Sequence, residues 1–304
     1  MKNIVLFFSV FLFGFLSNAK NSLPNHPKDS LLQLSKVVEN VDFNSVTKKY
    51  SNVITTNFLF KNKNIFQETL HTIFSENNEK ANITTNYLYK KDKLYKMVIL
   101  EDNKEIENIE FLYQNNRVSE MKFTNKKDKL NTEYQKIEYL DDKISKITTI
   151  YTNKEEKYKY EKVISYISDT EIQVIATNTF EKDGEKQDNW QTNTTYVLDD
   201  NKNIIISVEE RENQKEMTTC TYDNKKNPYF YQEHLKIIDP LFFLNEKYTK
   251  NNLLTKKIQI IENNDFFILG KYFINYEYNT EGFPTKAIRY VDVDFPEREK
   301  LFFY

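Results

Sequence analysis

Ile54-Thr55-Thr56-Asn57-Phe58-Leu59-Phe60-Lys61-Asn62-Lys63-Asn64-Ile65-Phe66 returns further along as Ile83-Thr84-Thr85-Asn86-Tyr87-Leu88-Tyr89-Lys90-Lys91-Asp92-Lys93-Leu94-Tyr95. Each copy is an alternating aromatic strand, a polar turn and the start of a second apolar strand. Alternation with a period of two places every second side chain on the same face, the pattern of a half-buried antiparallel strand. One such hairpin cannot bury its apolar face alone, so repeated copies have to stack or pair with their neighbours.

Outward from this stretch the pattern continues. Aromatics precede a tight turn at Phe60, Tyr89, Tyr113, Tyr139, Tyr196, Tyr222, Tyr248 and Tyr278. These turns are built from Asn, Asp and Lys. Asn and Asp tolerate positive φ and bond back to their own backbone, so they can serve in place of glycine. A second turn class is longer and charged, as at Glu101 to Glu105 and Glu209 to Lys215. The pattern predicts an all-β fold: a long antiparallel up-and-down meander of repeated hairpins, as an open or curled sheet, over residues 51–304 as a single domain. Before it, residues 20–50 read as a leader and a capping helix. Leu31, Leu34, Val37, Val38 and Val41 fall at helical spacing and predict a short N-terminal helix over the sheet end.

The first 19 residues read as a signal peptide. Met1-Lys2-Asn3 is followed by the apolar run Ile4 to Leu16 and then Ser17-Asn18-Ala19, which predicts cleavage after Ala19. The expected location is exported: periplasmic, outer-surface or extracellular, with no transmembrane span after cleavage. The 304-residue chain has a formal net charge of −2, a near balance that argues against a nucleic-acid partner. Its single cysteine, Cys220, permits no intramolecular disulfide. Four glycines, scattered along the chain, exclude a Rossmann fingerprint and a phosphate loop.

The phrase aromatic–x–aromatic, Asn/Asp turn, then apolar–x–Lys–apolar has its best copies at Thr221-Tyr222-Asp223-Asn224-Lys225-Lys226-Asn227-Pro228 and at Tyr276 to Lys286. It resembles the tyrosine-aspartate (YD) repeats of Rhs-type bacterial surface proteins, and related meanders in exported Bacteroidota proteins of unknown function. The resemblance implies an exported sheet of hairpins and carries no site residues.

Chemistry-bearing residues are sparse. His26, His71 and His234 have no metal-ligand spacing on one element, so no metal and no cofactor are expected. Cys220 would need His234 beside it to act as a nucleophile, and it reads as a buried thiol. Asp292 and Asp294 share a face near Glu297 and Glu299, and read as a solvated terminal strand. No catalytic residue is assigned. The richest feature is aromatic, with 21 Tyr, 23 Phe and Trp190. Pairs at i and i+2 share a face and predict a cross-strand ladder. The candidate ligand-binding residues are Tyr87, Tyr89, Trp190, Tyr276 and Tyr278, since tyrosine and tryptophan offer a flat apolar face with a polar tip.

These readings point to a non-catalytic binding or scaffolding protein of the cell envelope, with an envelope protein, a glycan or a lipid as partner. The alternatives are a periplasmic carrier holding a lipid or acyl chain in a curled sheet, a carbohydrate-active enzyme using paired carboxylates, and an outer-membrane barrel. Charges on both faces of Leu130 to Leu140 count against the barrel.

Overall fold

The computed structural model describes residues 33–44, 49–61, 64–74, 80–126, 132–212, 214–262, 265–292 and 295–304. The signal peptide, its cleavage site and the start of the leader lie outside these residues. The described strands are β1 (Lys36–Asn44), β2 (Lys49–Lys61), β3 (Asn64–Phe74), β4 (Lys80–Lys90), β5 (Lys93–Glu101) and β6 (Lys104–Gln114). They continue with β7 (Arg117–Asn125), β8 (Thr132–Leu140), β9 (Lys143–Thr152), β10 (Glu156–Tyr166), β11 (Glu171–Lys182) and β12 (Glu185–Leu198). The last six are β13 (Ile204–Arg211), β14 (Gln214–Tyr222), β15 (Leu253–Glu262), β16 (Asp265–Tyr278), β17 (Pro284–Asp292) and β18 (Phe295–Phe303). Between β14 and β15 lie a short helix, α1 (Glu233–Ile238), and a 3-10 turn at Phe242–Leu244.

All eighteen strands belong to one sheet. Its decisive feature is β1, which is antiparallel to β18 on one side, with Val37 opposite Phe302, and to β2 on the other, with Val37 opposite Thr56. The two ends of the chain are thereby joined, and the sheet closes as an 18-strand antiparallel barrel. This corrects the open or curled meander. A meander pattern specifies neighbours and says nothing about whether the first and last strands meet.

The expected N-terminal helix is also corrected. Val37, Val38 and Val41 lie on β1, and all three are buried, although Val37 and Val38 point to opposite faces. Two waiting edges satisfy the backbone of this segment on both sides. Branching at Cβ adds a strand preference that the helical spacing had concealed.

The molecule divides into two compact units. Among the described residues, unit 1 holds those within 33–86, 100–104 and 275–304, with the β17–β18–β1–β2–β3 ladder at its centre. Buried Glu39 of β1 lies 3.4 Å from Arg298 and 3.2 Å from Lys300, and Arg289 pairs with Glu297 at 2.7 Å. Phe283, just before β17, is 1 % exposed, and the Tyr304 hydroxyl donates to the Pro284 carbonyl at 2.9 Å.

Unit 2 holds residues 87–99 and 105–274. Its strands carry two unlike faces. On one, Phe111 opposes Met121, Ile137 opposes Ile147 and Ile164 opposes Val174, all buried. On the other, ion pairs run across β5–β10: Lys96–Glu110 at 3.0 Å, Lys122–Glu120 at 3.6 Å, Lys136–Glu138 at 3.0 Å, and Lys146 and Lys159 both on Glu161 at 2.6 Å.

The repeat has a structural basis at its turns. Lys91-Asp92, Asn115-Asn116 and Asp141-Asp142 each have positive φ at both residues, the two-residue turn whose twist matches a hairpin. Asp102-Asn103 has the same form, so the charged stretch Glu101 to Glu105 is a tight turn and not a longer loop. Beside the turns at Asn115-Asn116 and Asp141-Asp142 the ladder slips at the aromatic, between Leu112 and Tyr113 and between Glu138 and Tyr139, and it slips likewise between Leu59 and Phe60 on β2. Such bulges re-aim a side chain. The re-aimed hydroxyls reach the neighbouring hairpin, where Tyr113 donates to the Leu94 carbonyl and Tyr139 to the Val118 carbonyl, both at 2.9 Å.

Candidate functional site

Residues 223–252 interrupt the hairpin succession. Leaving β14, they fold over the apolar face of unit 2 before returning to β15. Tyr248, aligned with the repeat aromatics by sequence, lies in this crossing segment and not on a strand. Phe243 stacks on Tyr166 of β10 at 6.4 Å, and His234 meets Tyr87 of β4 edge-on at 5.3 Å.

Side-chain amides hold the segment in place. The Asn227 side chain donates to the carbonyls of Lys247 and Thr249, at 2.9 and 2.8 Å, and its oxygen accepts from the Tyr229 amide. Asn203, next to β13, donates to the Asn251 side chain at 2.9 Å and accepts from the Asn251 backbone at 3.2 Å. Asn252 makes a similar double contact with Asp223, at 3.0 Å each. These asparagines are nearly or fully buried, and each replaces a strand ladder that a non-strand backbone lacks.

Burial sets the electrostatics beneath the segment. The imidazole of His234 is pushed down to about 3, so it is neutral at ordinary pH, and its Nε2 has no hydrogen-bond partner. Both polar atoms of the buried Gln232 side chain are also unpartnered. Lys162, on the covered face of β10, is lowered by burial against the opposing pull of Asp239 and Glu209. Burial, followed by the charge of Glu107, raises Glu133 of β8 to about 6.

Where α1 meets the tight turns of β4–β9, a pocket of about 310 Å³ opens. Val118, Ile137, Ile144, Ile237 and Pro240 give it apolar walls, with the rings of Tyr113 and Tyr139 between them. Lys93, Arg117 and Lys236 bring three cations to it, against Asp92. The Lys93 ammonium sits 5.1 Å over the Tyr113 ring and the Arg117 guanidinium 5.3 Å over Tyr139. Arg117 also pairs with Asp142. Lys143 repeats the arrangement over Tyr166 at 4.7 Å. The sequence reading missed this site. The available signal was a cation directly after each tight turn, at positions 93, 117 and 143.

The residues singled out by sequence do not converge on it. Tyr87 is 4 % exposed and packs under the segment. Tyr89 is half-buried, its hydroxyl raised to about 12 by burial and then by Tyr113. Trp190, 45 % exposed, lies on β12 with its ring 5.9 Å from Tyr160. Tyr276 and Tyr278, in unit 1, stack on each other at 5.8 Å. Cys220 is buried, and burial pushes its thiol up to about 11, far from a thiolate nucleophile. Asp294 lies outside the described residues, while Glu297 and Glu299 pair with Arg289 and Lys286 at 2.7 and 2.9 Å. Among the described residues, no group of three His, Cys, Asp or Glu side chains is placed to hold a metal.

No family model matches the chain, and no curated protein sequence matches it. Among solved structures, it is similar to the crystal structure of a porin-like protein from Bacteroides vulgatus. The TM-score is 0.44 at 11% identity, over 90% of this chain and 98% of that one.

Proposed function

We propose that this chain is a closed β-barrel of the cell envelope, its strand order joined end to end by β1, with residues 223–252 packed on the apolar face of unit 2. The observation that carries the reading is the double pairing of β1 with β18 and β2. A scaffold sheet with free ends, and a carrier that merely curls, both require an edge at β1 that the structure does not have. The apolar leader from Ile4 to Leu16 supports export.

The ion-paired face of β5–β10 bears on how such a barrel sits. A lysine facing lipid costs about 2–4 kcal/mol at the bilayer midplane. Lys96, Lys122, Lys136, Lys146 and Lys159 would incur that cost together, and their Glu partners would add to it. This part of the wall therefore faces water.

The test pairs a cross-link with a fractionation. Val37→Cys with Phe302→Cys, in a Cys220→Ser background, should form an intramolecular disulfide in the folded protein. The full chain, expressed with its own leader in a Gram-negative host, should be found in the envelope fraction and be released by a carbonate wash. Absence of the cross-link in folded protein would refute closure, and retention in the cytoplasm would refute the envelope location.

A further inference from the structure

We propose that the aromatic face formed by β10, β11 and β12 binds a neutral oligosaccharide of β-1,4-linked, equatorially substituted pyranose rings. The inference rests on unit 2 alone and does not depend on closure or on export.

Strand register assembles the face. Tyr160 of β10 lies opposite Asn178 of β11, and Asn178 lies opposite Trp190 of β12. Two residues along, Tyr158 lies opposite Phe180 on one side and Tyr151 of β9 on the other. Residues two apart share a face, so Tyr158, Tyr160 and Lys162 continue the face on which Ile164 is buried. The Tyr158 and Phe180 rings stack at 4.4 Å, with Tyr151 6.0 Å from Tyr158. The Trp190 ring meets Tyr160 at 5.9 Å, and the Lys162 ammonium lies 5.4 Å over the Tyr160 ring. The two ring clusters are thus displaced by about 7 Å along the strands. A ligand that spans both is extended, which calls for more than one sugar ring.

The chemistry of the face selects the ligand. Trp190 keeps 45 % of its surface exposed, so its indole offers open apolar area. Among the described residues, the Trp190 indole N–H, the Asn178 amide and the Tyr160 hydroxyl make no hydrogen bond. They supply a donor, a group with two donors and an acceptor, and a hydroxyl that does both. A hydrocarbon chain would cover these groups without pairing them, at a cost. An equatorially substituted pyranose suits both features. Its axial C–H groups form apolar faces that stack on the electron-rich face of an aromatic ring, and its hydroxyls project at the edge. Charge is already balanced at the border. Arg211 pairs with Glu209 at 2.6 Å, and Lys162 is under the pull of Asp239 and Glu209. The ligand is therefore neutral.

The chain's single tryptophan makes the test direct. The full chain is titrated with cellohexaose and with chitohexaose, followed by tryptophan fluorescence and by isothermal titration. At least one sugar should bind saturably and change the Trp190 emission with the same dissociation constant. By calorimetry, Trp190→Ala should weaken binding about tenfold or more, and Asn178→Ala about fivefold. Trp190→Phe, which keeps a flat ring, should retain part of the affinity. Tyr95→Ala removes an exposed aromatic of β5 outside the face and should leave binding unchanged. No saturable response to either sugar at millimolar concentration overturns the proposal. So does sugar binding that leaves the Trp190 emission unaltered, since the site would then lie elsewhere. Both of these outcomes are read on the unaltered protein, so they decide the matter even if a variant fails to fold. Unchanged affinity in a folded Trp190→Ala variant likewise overturns it.

Discussion

The tyrosines before the tight turns join one hairpin to the next. Tyr113, Tyr139 and Tyr222 each donate to a backbone carbonyl of the adjoining strand at 2.9 Å. Replacing any of them by phenylalanine keeps the ring and removes one hydrogen bond, so each should cost about 0.5–1.5 kcal/mol. Truncation of the buried Tyr87 to alanine should cost more, about 3–5 kcal/mol, because the ring itself is lost from beneath the segment. Denaturant unfolding of these four variants checks the ordering. Glu133 gives a second prediction at this scale. Its carboxyl rises to about 6 in the fold, above the unfolded value. The stability this contributes is fully present below about pH 4.5 and is lost as pH rises through 6. Glu133→Gln should therefore be more stable than the parent at pH 8, by about 1–2 kcal/mol, and equal to it at pH 4. Parallel melts at the two pH values measure it.

At the scale of elements, the crossing segment is the part of the chain that departs from the repeat. Its helix α1 is 6 residues long with no side-chain cap at its start, so its stability comes from what it packs against and not from helix propensity. His234 is neutral in the fold, with its pKa lowered to about 3, whereas in the unfolded chain it protonates near the ordinary histidine value. Stability from this group is complete above that ordinary value and is lost as pH falls through 6.5 towards 3. Local opening of the segment exposes the same imidazole. Amide exchange in residues 229–245, corrected for the intrinsic pH dependence, should be less protected at pH 4.5 than at pH 7.5, while β11 and β12 keep their protection. His234→Phe should remove the difference. Equal protection at both pH values would place the acid-sensitive group elsewhere.

For the whole molecule, β1 is the strand without which there are two edges. Its removal would leave the backbone groups of β2 and β18 unpaired along their length, and an unpaired edge is a template for another chain. A protein beginning at Lys49 should therefore self-associate more than the parent while keeping its strand content. Size-exclusion chromatography beside circular dichroism reads both quantities. A monodisperse truncated protein of the parent's association state would show that the edges do not need β1.

Much of the local structure was legible from the residues alone. The period-two alternation, the Asn/Asp turns and the spacing of the aromatics specify strands and the neighbours each strand meets, because face and turn geometry are properties of a few adjacent residues. The helical spacing of Leu34, Val37, Val38 and Val41 misled, because a short apolar run fits either period and only the edges of β2 and β18 decide between them. The pocket was out of reach for the same reason. Lys93 and Arg117 stand at recognisable places in the repeat, but Lys236 joins them only through the fold of a segment that has no periodicity. The sequence by itself determined the antiparallel strands, their turns and the aromatic rhythm. Closure of the sheet and the assembly of the site depended on contacts between residues hundreds apart in the chain, which no local pattern encodes and which only the tertiary structure could decide.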